Sequence, residues 1–160
     1  MSERNENGVA IVVDLDGTLF LVDKRKELCE QEAGGDKKKF WGCFQSSKYM
    51  DYDVLNEEVA QFIRDAYERG ALIVVGTGRS EATQKEATIQ QLKRFNIPFH
   101  DLYMRPANDF SKDYVLKARI VDMVRVKYNP KELILIDDSD EVRGRVPSKS
   151  YPPNRLPKLF

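Results

Sequence analysis

The chain has 160 residues, enough for one domain with a substantial core. Lysine plus arginine balance aspartate plus glutamate at 26 each, so net charge singles out no polyanionic partner. No apolar run approaches the roughly 20 residues that span a bilayer, and the polar start lacks the apolar segment of a secretory signal. No membrane role is expected, and residues 1–8 read as a loose tail. Cys29 and Cys43 lie in no metal-ligand spacing. They predict free thiols in a reducing compartment, hence a cytoplasmic protein. The single histidine, His100, excludes a site built on two, and beside Pro98 it reads as a loop or helix-end residue.

Residues 8–13 form a continuous apolar, β-branched run, the pattern of a strand buried on both faces. The run ends in Asp14-Leu15-Asp16-Gly17-Thr18. Packing alone gives no reason for carboxylates there, because an unpaired buried charge is costly. In an open α/β sheet, however, the crevice beyond the strands' carboxyl ends holds ligands. Asp14 and Asp16 are two apart, so an extended chain places both on one face. Gly17 then lets the backbone turn.

Residues 21–53 show no clear periodicity and carry seven basic and seven acidic residues, the composition of a small insert. Short helices are predicted over 24–32, ended by Gly34-Gly35, and over 37–44. In the second, Lys37-Lys38-Lys39 precede Phe40 and Trp41. That grouping suits a stacking and phosphate surface for nucleic acid. It suits equally a solvated helix with its rings packed on the body.

Asn56 is a good N-cap with Glu57 and Glu58 in the first turn. Val59, Phe62, Ile63, Ala66 and Tyr67 follow the spacing of one buried helical face. Residues 71–75 are a second apolar strand. Thr83 and Glu86 resemble a capping box for a helix to about Phe95. A third strand is expected over 102–104. Ser111 is placed to cap a helix over 112–128 whose core stripe is Leu116, Ile120, Met123 and Val124. Residues 133–136 make a fourth strand that runs into Asp137-Asp138. Strands and helices alternating in this way predict an α/β fold: a Rossmann-like, mostly parallel sheet flanked by helices. From Arg143 onward come four prolines and five basic residues without an acid. An irregular tail over 143–160 is expected.

The strand ends carry the chemistry. Asp14 and Asp16 follow the first strand, Thr77-Gly78-Arg79 the second, and Asp137-Asp138 the fourth, while Lys117 lies early in the last long helix. In a parallel sheet these ends share one rim. Several carboxylates on one rim repel unless a hard cation neutralises them, and oxygen-only ligands suit Mg²⁺. A threonine, a lysine and an arginine beside them suit an anion. A carboxylate facing an anion beside a magnesium ion has the parts of aspartyl-phosphate chemistry.

With these residues in place, the chain resembles the haloacid dehalogenase (HAD) superfamily of phosphatases, whose four motifs match Asp14-Leu15-Asp16-Gly17-Thr18, Thr77, Lys117 and Asp137-Asp138. The resemblance implies that Asp14 is the nucleophile and Asp16 the general acid/base. It implies that Thr77 and Lys117 orient phosphate, and that Asp137 and Asp138 hold magnesium with Asp14 and the carbonyl of Asp16. Of the acidic pair, Asp138 is favoured as the direct ligand. The motifs cover residues 9–142, with 21–53 as a small cap. A narrower likeness rests on Thr77-Gly78-Arg79, Leu102-Tyr103-Met104-Arg105-Pro106 and Asp113-Tyr114-Val115-Leu116-Lys117. These resemble the 3′-phosphatase half of phage-type polynucleotide kinases and their stand-alone relatives. That implies substrate contacts from Gly17, Thr18, Gly78 and Arg79, and a phage or viral protein acting in a host cytoplasm. The chain lacks the Gly-x-x-x-x-Gly-Lys-Ser/Thr loop of a kinase half. That family continues with a helix and a further strand, which residues 143–160 do not promise.

The expected reaction is Mg²⁺-dependent phosphomonoester hydrolysis at a nucleic-acid 3′ end, with the basic tail and Lys112, Lys117, Arg119, Arg125 and Lys127 tracking the backbone. A phosphatase of small esters or nucleotides is the alternative. A phospho-accepting regulator of the response-regulator kind is a distant third, because there the acidic pair ends the first strand and the phosphorylated aspartate the third.

Overall fold

The computed structural model describes residues 7–159. In chain order it contains β1 (Val9–Val13), β2 (Phe20–Leu21), α1 (Asp23–Ala33), α2 (Lys37–Phe44), a 3₁₀ turn (Met50–Tyr52), β3 (Val54–Leu55) and α3 (Glu57–Glu68). Then come β4 (Leu72–Ser80), α4 (Glu81–Arg94), β5 (Asp101–Arg105), α5 (Asp113–Tyr128), β6 (Glu132–Ile136), α6 (Asp140–Arg145) and β7 (Lys149–Tyr151). Five strands make one parallel sheet in the order β5-β4-β1-β6-β7. The chain leaves β1 for β4 on one side and later returns to β6 on the other. β1 is therefore the switch point where a crevice opens beyond the strand ends.

The apolar runs are continuous because both sheet faces are covered. Ile11, Val13, Ile73, Val75, Ile134 and Ile136 pack in one core with Val59, Ile63 and Leu92. Their alternate neighbours Ala10, Val12, Leu72, Val74, Leu133 and Leu135 pack in the other with Leu116, Ile120, Val121 and Val124. Burying one such side chain contributes about 1.5–3 kcal/mol. The two cores fix the register of β1 against β4 and β6, and so fix where Asp14 and Asp137 emerge. Asp14 N–H donating to the Ile136 carbonyl at 3.0 Å carries the pairing one residue past the strands.

Several boundaries differ from the expectations. β4 continues through Thr77-Gly78-Arg79 to Ser80, with a register shift against β5 between Gly76 and Ser80. α4 starts behind Ser80, so Thr83 lies inside the helix and its hydroxyl donates to the Gln45 carbonyl instead of capping. α5 starts behind Lys112 rather than after a capping Ser111. Asn56 occupies the N-cap of α3 without a side-chain cap bond, and Met123 and Tyr67 are exposed. His100 does sit in the loop before β5, where Nδ1 accepts the Ile73 N–H at 3.0 Å.

The C-terminal stretch is not an irregular tail. Ser139 caps α6 by accepting the Val142 N–H, with Asp140 and Glu141 in the first turn and Arg143 and Arg145 in the last. β7 then adds an edge strand to β6, Ile134 opposite Lys149 through Ile136 opposite Tyr151. Pro147 and Pro152 flank β7 without entering it, as suits an edge strand. Of the expected N-terminal tail, residues 1–6 lie outside those described, as does residue 160. Asn7 and Gly8 are tied down: the Asn7 amide donates to Arg69, and the Gly8 carbonyl accepts from Lys131 and Glu132.

The insert is closed at its base by antiparallel pairing of β2 with β3. The predicted helices form, and a left-handed Gly34 lets α2 fold back towards α1. That return joins Cys29 to Cys43 in a disulfide across 14 residues. The expectation of free thiols is thus overturned, and the compartment inferred from it loses its basis. Among the described residues no helix is long and apolar enough to cross a membrane. In the chain-entropy picture a loop of this size is worth about 3 kcal/mol. Cys29→Ser and Cys43→Ser should each lose about that much stability in urea unfolding, and the double variant should lose little more than either alone.

Candidate active site

Two ion clusters meet at the end of β1. In the first, Lys117 reaches across from α5 and donates to Asp14 Oδ1 at 3.0 Å and to Asp137 Oδ2 at 2.5 Å. All three side chains are buried. The Thr18 hydroxyl lies 3.2 Å from Asp14 Oδ2 and 3.3 Å from Asp138 Oδ1, and it accepts the Asp138 N–H at 3.1 Å. Asp137 is held from behind: Ser139 N–H donates to its Oδ1, Arg143 to its carbonyl, and its own N–H bonds to the Tyr151 carbonyl on β7. Cutting away the edge strand would therefore reach an active-site aspartate. Gly17, at φ +84°, has no room for a side chain, since a Cβ would lie 2.4 Å from Asp138 Oδ2.

Asp14, Asp137 and Asp138 each place an oxygen within 4.8 Å of the others. The donors are hard oxygens with nothing softer beside them, which fits Mg²⁺. Burial pushes the Asp14 carboxyl well above the usual carboxylate range; Lys117 opposes this, and Asp137 and Asp138 add to it. Burial works against the charge on Lys117, but Asp14 and Asp137 hold it firmly protonated.

The second cluster was not foreseen. Asp14 and Asp16 do not share one face, because the chain leaves extended geometry at Leu15 and the two carboxylates enter different clusters. Asp16 Oδ1 accepts from Arg25 at 2.7 Å and from Arg79 Nε at 2.9 Å. Both arginines also bind Asp53, Arg25 at 3.0 and 3.1 Å and Arg79 at 3.3 Å. Gln91 donates to Asp53 at 3.1 Å and accepts from Arg79 at 2.8 Å, and Thr88 accepts from Arg79. Burial alone would raise the Asp16 pKa, but Arg79 and Arg25 outweigh it and hold the carboxyl below its usual range. Asp53 is different: burial wins and raises it.

Thr77 is buried at the rim, accepts the Arg79 N–H, and lines the same cleft as Asp14, Gly17, Gly78, Lys117, Asp137 and Asp138. Of the predicted residues, Asp14, Thr18, Lys117, Asp137 and Asp138 come together, with Gly17 packed against Asp138. Asp16 and Arg79 form the neighbouring pair. Arg25, Asp53 and Gln91 were missed. The only signal for them was polar spacing: Gln84, Thr88 and Gln91 are buried on one side of α4. The expected basic track is largely committed elsewhere. Lys117 is buried in the site, Arg119 pairs with Asp109, Lys127 with Asp101, Lys149 with Glu132, and Arg125 donates to the Pro147 carbonyl.

A family model described as the polynucleotide kinase PNKP phosphatase domain matches residues 8–145. The chain belongs to that family. It is thus a phosphatase domain of the HAD superfamily. A chain of the Pnkp1/Rnl/Hen1 complex shares 25% identity with a TM-score of 0.65; the match covers 91% of this chain and 45% of that one. The protein therefore spans under half of that neighbour. CbbY from Rhodobacter sphaeroides in complex with phosphate has a TM-score of 0.62 at 14% identity, covering 89% of this chain and 84% of its own. A substrate-bound phosphoserine phosphatase gives 0.61 at 11%, covering 89% and 84%. Those two likenesses carry the fold alone. Comparison with curated proteins gives no match.

Because Asp14 must be ionised to ligate a metal and burial raises its pKa, Mg²⁺ should bind more tightly as pH rises above the ordinary carboxylate range, with release of protons. Calorimetry in buffers of different ionisation enthalpy measures that release. Millimolar Mg²⁺ should also raise the melting temperature, and no shift at any pH would count against the site.

Proposed function

We propose that the protein removes phosphate from the 3′ end of a polynucleotide, through an aspartyl-phosphate on Asp14 and with Mg²⁺ as cofactor. The observation that carries the reaction is Asp14 itself, held at the crevice by Lys117 and Thr18 in a chain of this phosphatase family. HAD phosphatases generally use Mg²⁺, which the cluster of Asp14, Asp137 and Asp138 would hold. When bound, it would offset charge on the phosphoryl oxygens. Support for the 3′ end comes from the matching family and from the Thr77-Gly78-Arg79 motif. The neighbour in the Pnkp1/Rnl/Hen1 RNA repair complex makes an RNA end a reasonable first substrate to test.

In the first step an Asp14 carboxylate oxygen bonds to phosphorus while the bond to the ester oxygen breaks. Lys117 and the Thr77 hydroxyl orient the phosphoryl group. Asp16 gives its proton to the leaving alkoxide, and the dephosphorylated strand departs. In the second step Asp16, now a base, takes a proton from water, whose oxygen attacks phosphorus and frees Asp14. Arg25 and Arg79 hold Asp16 in the carboxylate form that this second step uses. To donate in the first step it must turn from them and take up a proton.

Asp14→Asn should abolish hydrolysis of every phosphate ester while the fold survives, checked by circular dichroism; a tenth of wild-type activity would be too much. Asp16→Asn should cost less on aryl phosphates than on alkyl phosphates, because good leaving groups need no proton. For the substrate, kcat/KM should rank a 3′-phosphorylated oligonucleotide above its 5′ isomer and above a 3′-mononucleotide. Its KM should rise with salt, roughly 0.7–0.9 log unit per log unit for each phosphate contacted. A win for the mononucleotide would give the site to small esters.

A further inference from the structure

The crevice above Asp14 widens into a cleft of about 1050 Å³, far more than a phosphate needs. Two aromatic rings from different elements line it. Trp41, on α2, is 52% exposed; Phe110, in the loop between β5 and α5, is 91% exposed. Both line the cleft that also contains Asp14, Thr77 and Lys117. The lysine run of α2 does not line it.

Neither ring is exposed because its support is loose. Phe40 and Phe44 stack at 5.5 Å, and Trp41 meets both edge-on at 5.1 and 5.9 Å. Phe44 is pinned in turn. The Arg25 guanidinium sits 4.6 Å over its ring, and Arg25 and Gln84 both donate to its carbonyl. The disulfide next to it fastens α2 to α1. In the loop between β5 and α5, Arg105 donates to the carbonyls of Asp109 and Ser111, so it grips the loop on either side of Phe110. Asp109 also accepts from the Ser111 N–H and pairs with Arg119. A single exposed ring needs no explanation, but two rings on braced backbone that line one cleft together make a binding feature. Their position decides the ligand. A planar apolar group must lie within reach of a phosphate held at Asp14, which describes the base of a terminal nucleotide.

We propose that Trp41 and Phe110 form a nucleobase subsite that takes the base of the 3′-terminal nucleotide, which must leave its stack to enter. This rests on the polynucleotide reading and adds specificity residues to it. The subsite predicts a preference for single-stranded over blunt duplex 3′ ends.

The test compares two oligonucleotides with the same 3′-phosphate, one ending in a normal nucleotide and one in an abasic sugar. Wild-type kcat/KM should favour the normal end by roughly 5- to 150-fold, the range for stacking one base. In Trp41→Ala and in Phe110→Ala that ratio should fall towards one, chiefly through KM, while Trp41→Phe should keep most of it. Both residues are exposed, so the alanine variants should fold. Trp41 is the only tryptophan, which gives a second readout. Titrating Asp14→Asn with 3′-phosphorylated oligo(dT) should quench its fluorescence, and the abasic-ended strand should quench it less. A ratio near one in the wild type, or one unmoved by both alanine variants, would overturn the subsite and leave the rings to a protein partner. If neither oligonucleotide is hydrolysed but small esters are, the polynucleotide reading has failed and the subsite falls with it.

Discussion

The lysine buried between Asp14 and Asp137 is the contact on which the rest of the rim depends. Two strand ends deliver carboxylates to one dry point, and neither could stay there alone. Removing one partner of such a pair costs about 3–5 kcal/mol, so Lys117 is as structural as it is chemical. Its position follows from α5 packing over one face of the sheet, in the core that Leu116 and Ile120 share with Ala10, Val12 and Val74. Across both clusters, five carboxylates (Asp14, Asp16, Asp53, Asp137 and Asp138) meet three cations (Lys117, Arg25 and Arg79). Fully ionised, the carboxylates would exceed the cations by two negative charges; the raised pKa values of Asp14 and Asp53 lessen that excess.

The division of labour between the clusters follows from backbone geometry. A straight strand would have aimed Asp14 and Asp16 the same way. The turn at Leu15 and Gly17 instead sends Asp14 to the lysine side and Asp16 to the arginine side. Two carboxylates only two positions apart thereby acquire opposite environments. One is raised by burial; the other is lowered by two guanidiniums. The two shifts run against the proposed roles, since a nucleophile needs the ionised form and a leaving-group acid the protonated one; a cation beside Asp14 and release of Asp16 from its arginines would reverse both.

What could be read from the sequence was whatever the core dictates. Three of the five sheet strands, β1, β4 and β6, were legible because both faces of each are buried, leaving unbroken apolar runs; β5, a half-buried edge strand, was legible only from Leu102-Tyr103-Met104. The acids at their ends stood out because nothing in packing calls for them. The fifth strand was hidden by its position. An edge strand needs partners on one side only, and β7 is three residues long between two prolines. Arg25 and Asp53 escaped notice for another reason. They are 28 residues apart in an aperiodic insert and meet only in three dimensions. The buried Gln84, Thr88 and Gln91 had the spacing of a helix face, but a polar face reads as solvated until something charged is found beneath it. The cysteines misled through compartment rules, because the Gly34 reversal that joins them leaves no mark in their spacing.

Arg25 also says how the insert moves. It belongs to α1, yet its side chain is fully buried against Asp16 at the end of β1 and against Asp53 at the insert's own base. Swinging the insert away would strip Asp16 of this partner. At about 3 kcal/mol or more for such a loss, with each 1.4 kcal/mol a factor of ten, fewer than roughly one molecule in a hundred would stand open. The insert is therefore a fixed wall and not a lid. Substrate must enter and product leave through a permanent aperture, so product release is governed by its own grip on the cleft, with no gating step to wait for.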